Sequence, residues 1–323
     1  MCTCISYTNG AFYFGRNLDL DSDFGQSVVI TPRQYPITFK QMPPFKEHYA
    51  MIGMASVMAG YPMYAEAVNE KGLGMAGLNF PGNAFYPTGG NRRYTVTPYE
   101  LIPWILGQCD TVDTAKRLLE AADVVGIPFT KDVPLASLHF MLSDGTCSLV
   151  VEPTAEGLKL YDNPFGVLTN NPPFPFHQMN VSQYLNLTSA EPTNQFGERL
   201  SLTSFGVGFG SIGLPGDASP ASRFVRAAFL RANAKAIQNE QASVAQFFHM
   251  LANVAMVRGM VQNKKGQEEI TRYSCCVNAD TGVYYYTTYD NPQLQAVSMK
   301  QAELESQTLK VVPLETEMTP AAR

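Results

Sequence analysis

The chain has 323 residues, 45% of them hydrophobic and 16% charged, with a net charge of −5. This is enough apolar material for a sizeable core. The 23 Lys and Arg gather only in short runs such as Asn91-Arg92-Arg93 and Lys264-Lys265, which excludes a nucleic-acid surface. The longest weakly polar stretch, 50–63, contains Gly53, Gly60 and Pro62 and is too short to span a bilayer. With no basic-then-apolar leader at the N-terminus, a cytoplasmic protein is expected.

In chain order, the first third reads as β-rich. Ala11 to Gly15 and Ser27 to Thr31 are apolar, β-branched or aromatic runs. Between them Asn17 to Gly25 reads as a polar turn carrying Asp19, Asp21 and Asp23. It lacks the loop glycine and distal glutamate of a calcium-binding EF-hand. Asn69 to Gly74 is a turn into a strand over Met75 to Phe80. A helix is predicted from Thr111 to Val125, capped by Asp110, because Val112, Ala115, Leu118, Leu119 and Ala122 recur at helical spacing. Strands follow at Leu138 to Leu142 and Cys147 to Glu152, and shorter ones at Gly157 to Tyr161 and Gly166 to Thr169. Gly206 to Gly210 is a glycine-rich loop without a phosphate-binding signature. Helices are predicted over Pro220 to Lys235, opened by the Ser219-Pro220 cap pair, and over Val244 to Met256. Strands return at Arg272 to Ala279 and Gly282 to Tyr289, and the last dozen residues are expected to fray. Hairpin turns outnumber helical crossovers, which argues for an α+β chain with antiparallel sheets flanked by helices. One domain, 1–323, is expected.

The six cysteines (Cys2, Cys4, Cys109, Cys147, Cys275, Cys276) have neither disulfide-framework nor zinc spacing. His48, His139, His177 and His249 are scattered. No metal or cofactor is called for. Cys2 stands apart, because trimming of Met1 would leave a thiol and a free α-amine on one residue. An unperturbed thiol is mostly protonated at neutral pH, whereas an α-amine titrates near it and can serve as base. A nearby cation would favour the thiolate, a carboxylate could hold the amine, and amide donors could stabilise an oxyanion. The turn dipeptide Asn9-Gly10 would fold Arg16 and Asp19 back beside Cys2. Asn79 and the pair Asn170-Asn171 end two strands and are the best amide donors. Arg223 sits in the first turn of a helix, where a cation opposes the helix dipole and calls for an ion-pair or functional explanation.

Met1-Cys2-Thr3, Tyr13 to Asp19, Ala76 to Asn83, Leu168 to Pro172, and Gly213 to Asp217 with Ser222 to Arg226 occur in this order. Together they resemble the choloylglycine hydrolase family, in particular bacterial bile salt hydrolases. The resemblance implies a four-layer αββα N-terminal-nucleophile hydrolase fold. It implies cleavage of the amide between a bile acid and glycine or taurine. It makes Cys2 the nucleophile, with Arg16 and Asp19 flanking it, Asn79 and Asn170 at the oxyanion and Arg223 in support. By position, Leu18, Tyr61, Tyr64, Ile127, Phe129 and Leu135 would shape a steroid pocket. A homotetramer is implied, with the conjugated bile salt as the small-molecule partner and neither nucleic acid nor membrane. The alternatives are penicillin V or N-acyl-homoserine lactone acylase chemistry, a glutamine amidotransferase-like domain, and a steroid-binding module whose cysteine is inert.

Overall fold

A computed structural model describes residues 1–236 and 239–320. The chain opens with β1 (Cys2–Asn9), β2 (Ala11–Leu20), β3 (Gln26–Thr31), β4 (Met51–Met58), β5 (Tyr61–Asn69), β6 (Gly74–Asn79) and the short β7 (Tyr94–Val96). Then come α1 (Leu101–Leu106), α2 (Val112–Glu120), β8 (Ala122–Val124), β9 (Leu138–Ser143), β10 (Ser148–Thr154), β11 (Gly157–Asp162) and β12 (Val167–Leu168). The remainder is α3 (Phe174–Val181), α4 (Pro220–Asn233), α5 (Glu240–Ala252), β13 (Ile270–Asn278), β14 (Val283–Thr288), β15 (Gln295–Ser298) and β16 (Lys310–Pro313).

Two antiparallel sheets form the centre. One has six strands in the order β12-β1-β2-β13-β14-β15; the other has eight, β11-β10-β9-β6-β5-β4-β3-β16. Val244, Phe247, Met250 and Leu251 fall on one face of α5. They join Phe224 and Ala227 of α4 and side chains from between the sheets in one apolar cluster. On the other side, Leu101, Ile105 and Leu106 of α1 and Val112, Ala115 and Leu119 of α2 pack onto the eight-stranded sheet in a second cluster. The result is the four-layer αββα arrangement that the family resemblance implies. Both faces of each sheet are covered, so β1 and β2 are buried almost throughout instead of alternating.

The β1–β2 hairpin turns at Gly10, whose φ of +74° favours glycine. Its register pairs Asn9 with Ala11, Cys4 with Arg16 and Cys2 with Leu18. Gly15 is required by close approach: a Cβ there would lie 2.0 Å from the Cys275 carbonyl oxygen on β13.

The structure corrects several boundaries. Asn17, Leu18, Asp19 and Leu20 belong to β2 and are not a turn, because β13 pairs along them as far as Leu20. The helix predicted to Val125 ends at Glu120, and its cap is Thr111, which accepts from Thr114 N–H while Asp110 accepts from the Thr114 hydroxyl. Ala122 to Val124 instead pair in parallel with Tyr94 to Val96, a partner remote in sequence. Part of the C-terminal segment expected to fray forms β16 against β3. Helices α1 and α3 were not foreseen. Pro103 is tolerated in α1 because it lies in the first turn, where a missing N–H costs no intrahelical bond.

Candidate active site

Cys2 opens β1, and its position is fixed from three sides. Its main-chain N–H donates to Asn170 Oδ1 at 2.9 Å, and its carbonyl accepts from Arg223 Nη1. On the neighbouring strand it faces Leu18. Arg223 reaches in from α4. It is fully buried, donates from Nη1 to Thr3 Oγ1 at 2.7 Å and from Nη2 to Asn170 Oδ1 at 2.7 Å, and its Nε donates to the Ala218 carbonyl at 3.0 Å. The cation at an unfavourable helix end is thus explained: it ties the start of β1 to the segment after β12. Burial lowers the Arg223 pKa, against the opposing pull of Asp19 and Cys2.

Asn170 lies just beyond β12. Its Nδ2 donates to the Asn79 carbonyl at the end of β6, 2.7 Å away. Asn171 points elsewhere, donating to the Pro81 carbonyl and to Asn83 Oδ1. Of the two asparagines left open by the sequence, Asn170 is therefore the one against Cys2. The segment around Asn170 is braced from behind by two buried histidines. His139 Nε2 pairs with the Thr169 carbonyl, and His177 Nε2 with the Asn170 carbonyl.

Arg16 crosses from β2 into the space between the sheets and is fully buried. Its Nη1 donates to the Gly77 carbonyl at 2.6 Å and the Ala65 carbonyl at 3.2 Å, and lies 3.7 Å from Glu66 Oε2. Burial works against its charge, but Cys2, Tyr273 and Glu66 outweigh that and raise its pKa. Asp19 is buried; its Oδ1 accepts from Thr271 Oγ1 at 2.6 Å. Its Oδ2 has no hydrogen-bond partner among the described residues. Burial raises the Asp19 pKa, opposed chiefly by Arg223.

Met1 precedes Cys2 in this structure. Its main chain extends the ladder: Asp19 N–H donates to the Met1 carbonyl at 2.9 Å, and the Met1 ammonium donates to the Asp19 carbonyl and to Glu269 Oε2, each at 2.7 Å. The nitrogen of Cys2 is therefore an amide here.

A cavity of about 300 Å³ opens beside Cys2. Cys2, Arg16 and Asn79 are its polar lining residues, and Leu18, Tyr64, Phe129 and Leu135 are among its apolar walls. Two of the predicted wall residues are corrected. Tyr61 is buried behind the wall, its ring centroid 5.7 Å from that of Phe129 and 5.8 Å from that of Tyr99. Ile127 is not among the lining residues; it sits in the turn after β8, its N–H donating to the Val125 carbonyl. Lining residues that the sequence did not suggest include Phe24, Tyr99 and Leu138. They lie on loops and strand ends that only the fold brings together. A more polar cleft of about 500 Å³, lined by Ser6, Ser148, Asp162 and Arg231, contains none of the candidate residues. Among the described residues no cluster of His, Cys, Asp or Glu is arranged to hold a metal ion, and no helix is long and apolar enough to cross a membrane.

Cys2 and Arg16 line an apolar cavity on an αββα core, and Asn170 and Arg223 clamp the Cys2 main chain, an arrangement suited to an amidohydrolase of the N-terminal-nucleophile fold. Residues 2–312 match the model of the linear amide C–N hydrolases, choloylglycine hydrolase family, and the chain belongs to that family. It is 44% identical over 317 residues to a bile salt hydrolase/transferase of Lactiplantibacillus plantarum, covering 98% of each chain. It is 40% identical over 318 residues to a protein of the same description from Clostridium perfringens, covering 96% of each. A crystal structure of a variant of the conjugated bile acid hydrolase from Clostridium perfringens superimposes with a TM-score of 0.91 at 37% identity, covering 99% of both chains. Penicillin V acylase from Agrobacterium tumefaciens shares the fold, with a TM-score of 0.77 at 21% identity over 98% of this chain and 92% of that one.

Proposed function

We propose that this protein hydrolyses the amide bond joining a bile acid to glycine or taurine, through a thioester at Cys2. The observation that carries this reading is the position of Cys2 between the Asn170–Arg223 clamp and an apolar cavity suited to a rigid steroid. The substrate class rests on the relatives, which are described as bile salt and conjugated bile acid hydrolases.

In this reading Met1 is removed first, and the freed α-amine of Cys2 stays beside Asn170 Oδ1, where the amide N–H now donates. Asp19, with its unpartnered Oδ2, supplies a carboxylate for the resulting ammonium. The amine takes the thiol proton, and the sulfur attacks the substrate carbonyl carbon. The Arg16 charge favours the thiolate. The carbonyl oxygen becomes an oxyanion facing Asn79 and the second Nδ2 hydrogen of Asn170. As the C–N bond breaks, the Cys2 ammonium returns its proton to the leaving amino group. Water, deprotonated by the same amine, then cleaves the thioester and regenerates the thiol. Capture of the thioester by an amine instead of water would transfer the acyl group, the second activity in the relatives' description.

The deciding measurement compares glycine or taurine release from glycocholate and taurocholate with phenoxyacetate release from penicillin V. Conjugated bile salts are expected to be turned over at least about tenfold faster, a preference of about 1.4 kcal/mol in the transition state. Faster penicillin V cleavage would make the chain an acylase of that class, and tight bile-salt binding without product would make it a steroid-binding module.

A homotetramer in the bacterial cytoplasm completes the proposal. All six cysteines are free, as suits a reducing compartment. The excursion between α3 and α4 leaves Leu185, Phe196, Phe205 and Val207 almost fully exposed, more apolar surface than a monomer ordinarily presents on one segment. Sedimentation is expected to give four copies, and Phe205→Ser with Val207→Ser to shift the mass toward smaller species.

A further inference from the structure

Glu66 lies on β5, in the eight-stranded sheet, yet its carboxylate is fully buried and its partners come from the opposite sheet. Oε1 accepts from the Tyr284 hydroxyl at 2.7 Å and from Cys275 Sγ at 3.5 Å. Oε2 accepts from the Tyr273 hydroxyl at 2.7 Å and lies 3.7 Å from Arg16 Nη1. Arg16 in turn faces Cys275 across β2–β13 and Cys4 across β1–β2. Among the described residues Glu66 is the carboxylate in ion-pair contact with Arg16. A buried carboxylate of this kind is more than a structural tie, because it competes with the Cys2 thiolate for the same guanidinium.

We propose that Glu66 is a positioning residue for the reaction, holding Arg16 between the sheets and setting how much of its charge is felt at Cys2. The inference rests on the reading of Cys2 as nucleophile. The charged or titratable groups that interact with Cys2 include Arg16 on β2, Arg223 on α4 and Cys4 on β1, with Asp19 of β2 close to Arg223 and its own amine freed once Met1 is removed. Glu66 is faced by Arg16, by Tyr273 and Cys275 on β13, and by Tyr284 on β14, with Cys4 of β1 close to the same charges. Burial pushes the Glu66 carboxyl up, while Arg16 and the two tyrosine hydroxyls pull it down. Two hydroxyl donors and a guanidinium suit an ionised acceptor. A negative charge beside Arg16 disfavours a second one at Cys2, so removing it should lower the pH at which the thiolate forms.

The test is the pH dependence of Cys2 alkylation by iodoacetamide, read on the Cys2 peptide by mass spectrometry in the Met1-trimmed protein. Glu66→Gln keeps an acceptor for the tyrosines and removes the charge. Its midpoint is expected to fall by about one pH unit, a tenfold gain in reactivity on the acid side. Glu66→Asp, which keeps the charge, is expected to stay within about 0.3 unit of the parent. An unmoved midpoint in folded Glu66→Gln, with only the melting temperature lowered, overturns the inference and leaves Glu66 a structural tie. Should Glu66→Gln fail to fold, Tyr273→Phe with Tyr284→Phe takes its place. Stripping two donors drives the carboxyl toward its neutral form, so the midpoint again falls, and no fall overturns the proposal. Failure of the nucleophile reading is seen separately, as bile-salt turnover that survives loss of the Cys2 thiol.

Discussion

Replacing Cys2 with Ala is expected to reduce release of taurine from taurocholate by about 10⁴-fold or more, since the proposed thioester then has no sulfur on which to form. Cys2→Ser should fall nearly as far, because a hydroxyl is a much weaker acid than a thiol and the α-amine is matched to the latter. Neither change should unfold the protein. The clamp on Cys2 uses its main-chain N–H and carbonyl, which both variants retain, so a stability change within about 1 kcal/mol is expected in denaturant titrations. Near-normal turnover by both variants would remove Cys2 from the mechanism. The two measurements together matter, because loss of activity with loss of fold would say nothing about chemistry.

Arg223→Met is expected to have the largest effect on stability and a large one on rate. The guanidinium serves four acceptors: the Cys2 carbonyl, Thr3 Oγ1, Asn170 Oδ1 and the Ala218 carbonyl. It is also the principal charge favouring ionised Asp19. Truncation leaves those oxygens short of a donor and a buried carboxylate without its main opposing charge, at a cost of about 3–5 kcal/mol. Asn170 loses one of the groups that orient it, so kcat should fall about 10²–10³-fold, the usual cost of a lost oxyanion donor. Urea unfolding and steady-state kinetics check the two halves independently. Arg223→Lys should recover part of the stability but little of the rate, since one ammonium cannot fork between Cys2 and Asn170. A variant that unfolds at the parent urea concentration would show that Arg223 merely fills space.

Much of the N-terminal half of the site could be read from the chain because it is local. Asn9-Gly10 fixes a hairpin, and a hairpin fixes which residues return to Cys2. In the observed register Leu18 faces Cys2, Asn17 faces Thr3 and Arg16 faces Cys4. Arg16 acts from beside Cys4 by reaching between the sheets. Asp19 shows why composition misleads: three aspartates at alternate positions read as a solvated turn, but pairing with β13 buries the first of them. The same competition ended the second helix early, since Ala122 to Val124 found strand partners more than two dozen residues back. Asn170 stood out only as an amide at a strand end, and Arg223 was attached to Cys2 through the family resemblance, because no local rule links residues so far apart. Glu66 carried no signal at all. A glutamate in an ordinary strand looks solvent-facing until the second sheet closes over it.

The clamp on Met1 also has a bearing on timing. In the folded chain the Met1 ammonium is held by the Asp19 carbonyl and Glu269, and the next peptide by Asn170 and Arg223. An aminopeptidase needs that terminus extended and free. The holding residues other than Asp19 are made late, the last of them 268 residues after Met1, so at about 5–20 residues per second a ribosome leaves the N-terminus loose for roughly 10–50 s. The trimming proposed above would therefore fall to the nascent chain. Protein that folds with Met1 in place is expected to stay locked, with maturation a race won or lost during synthesis.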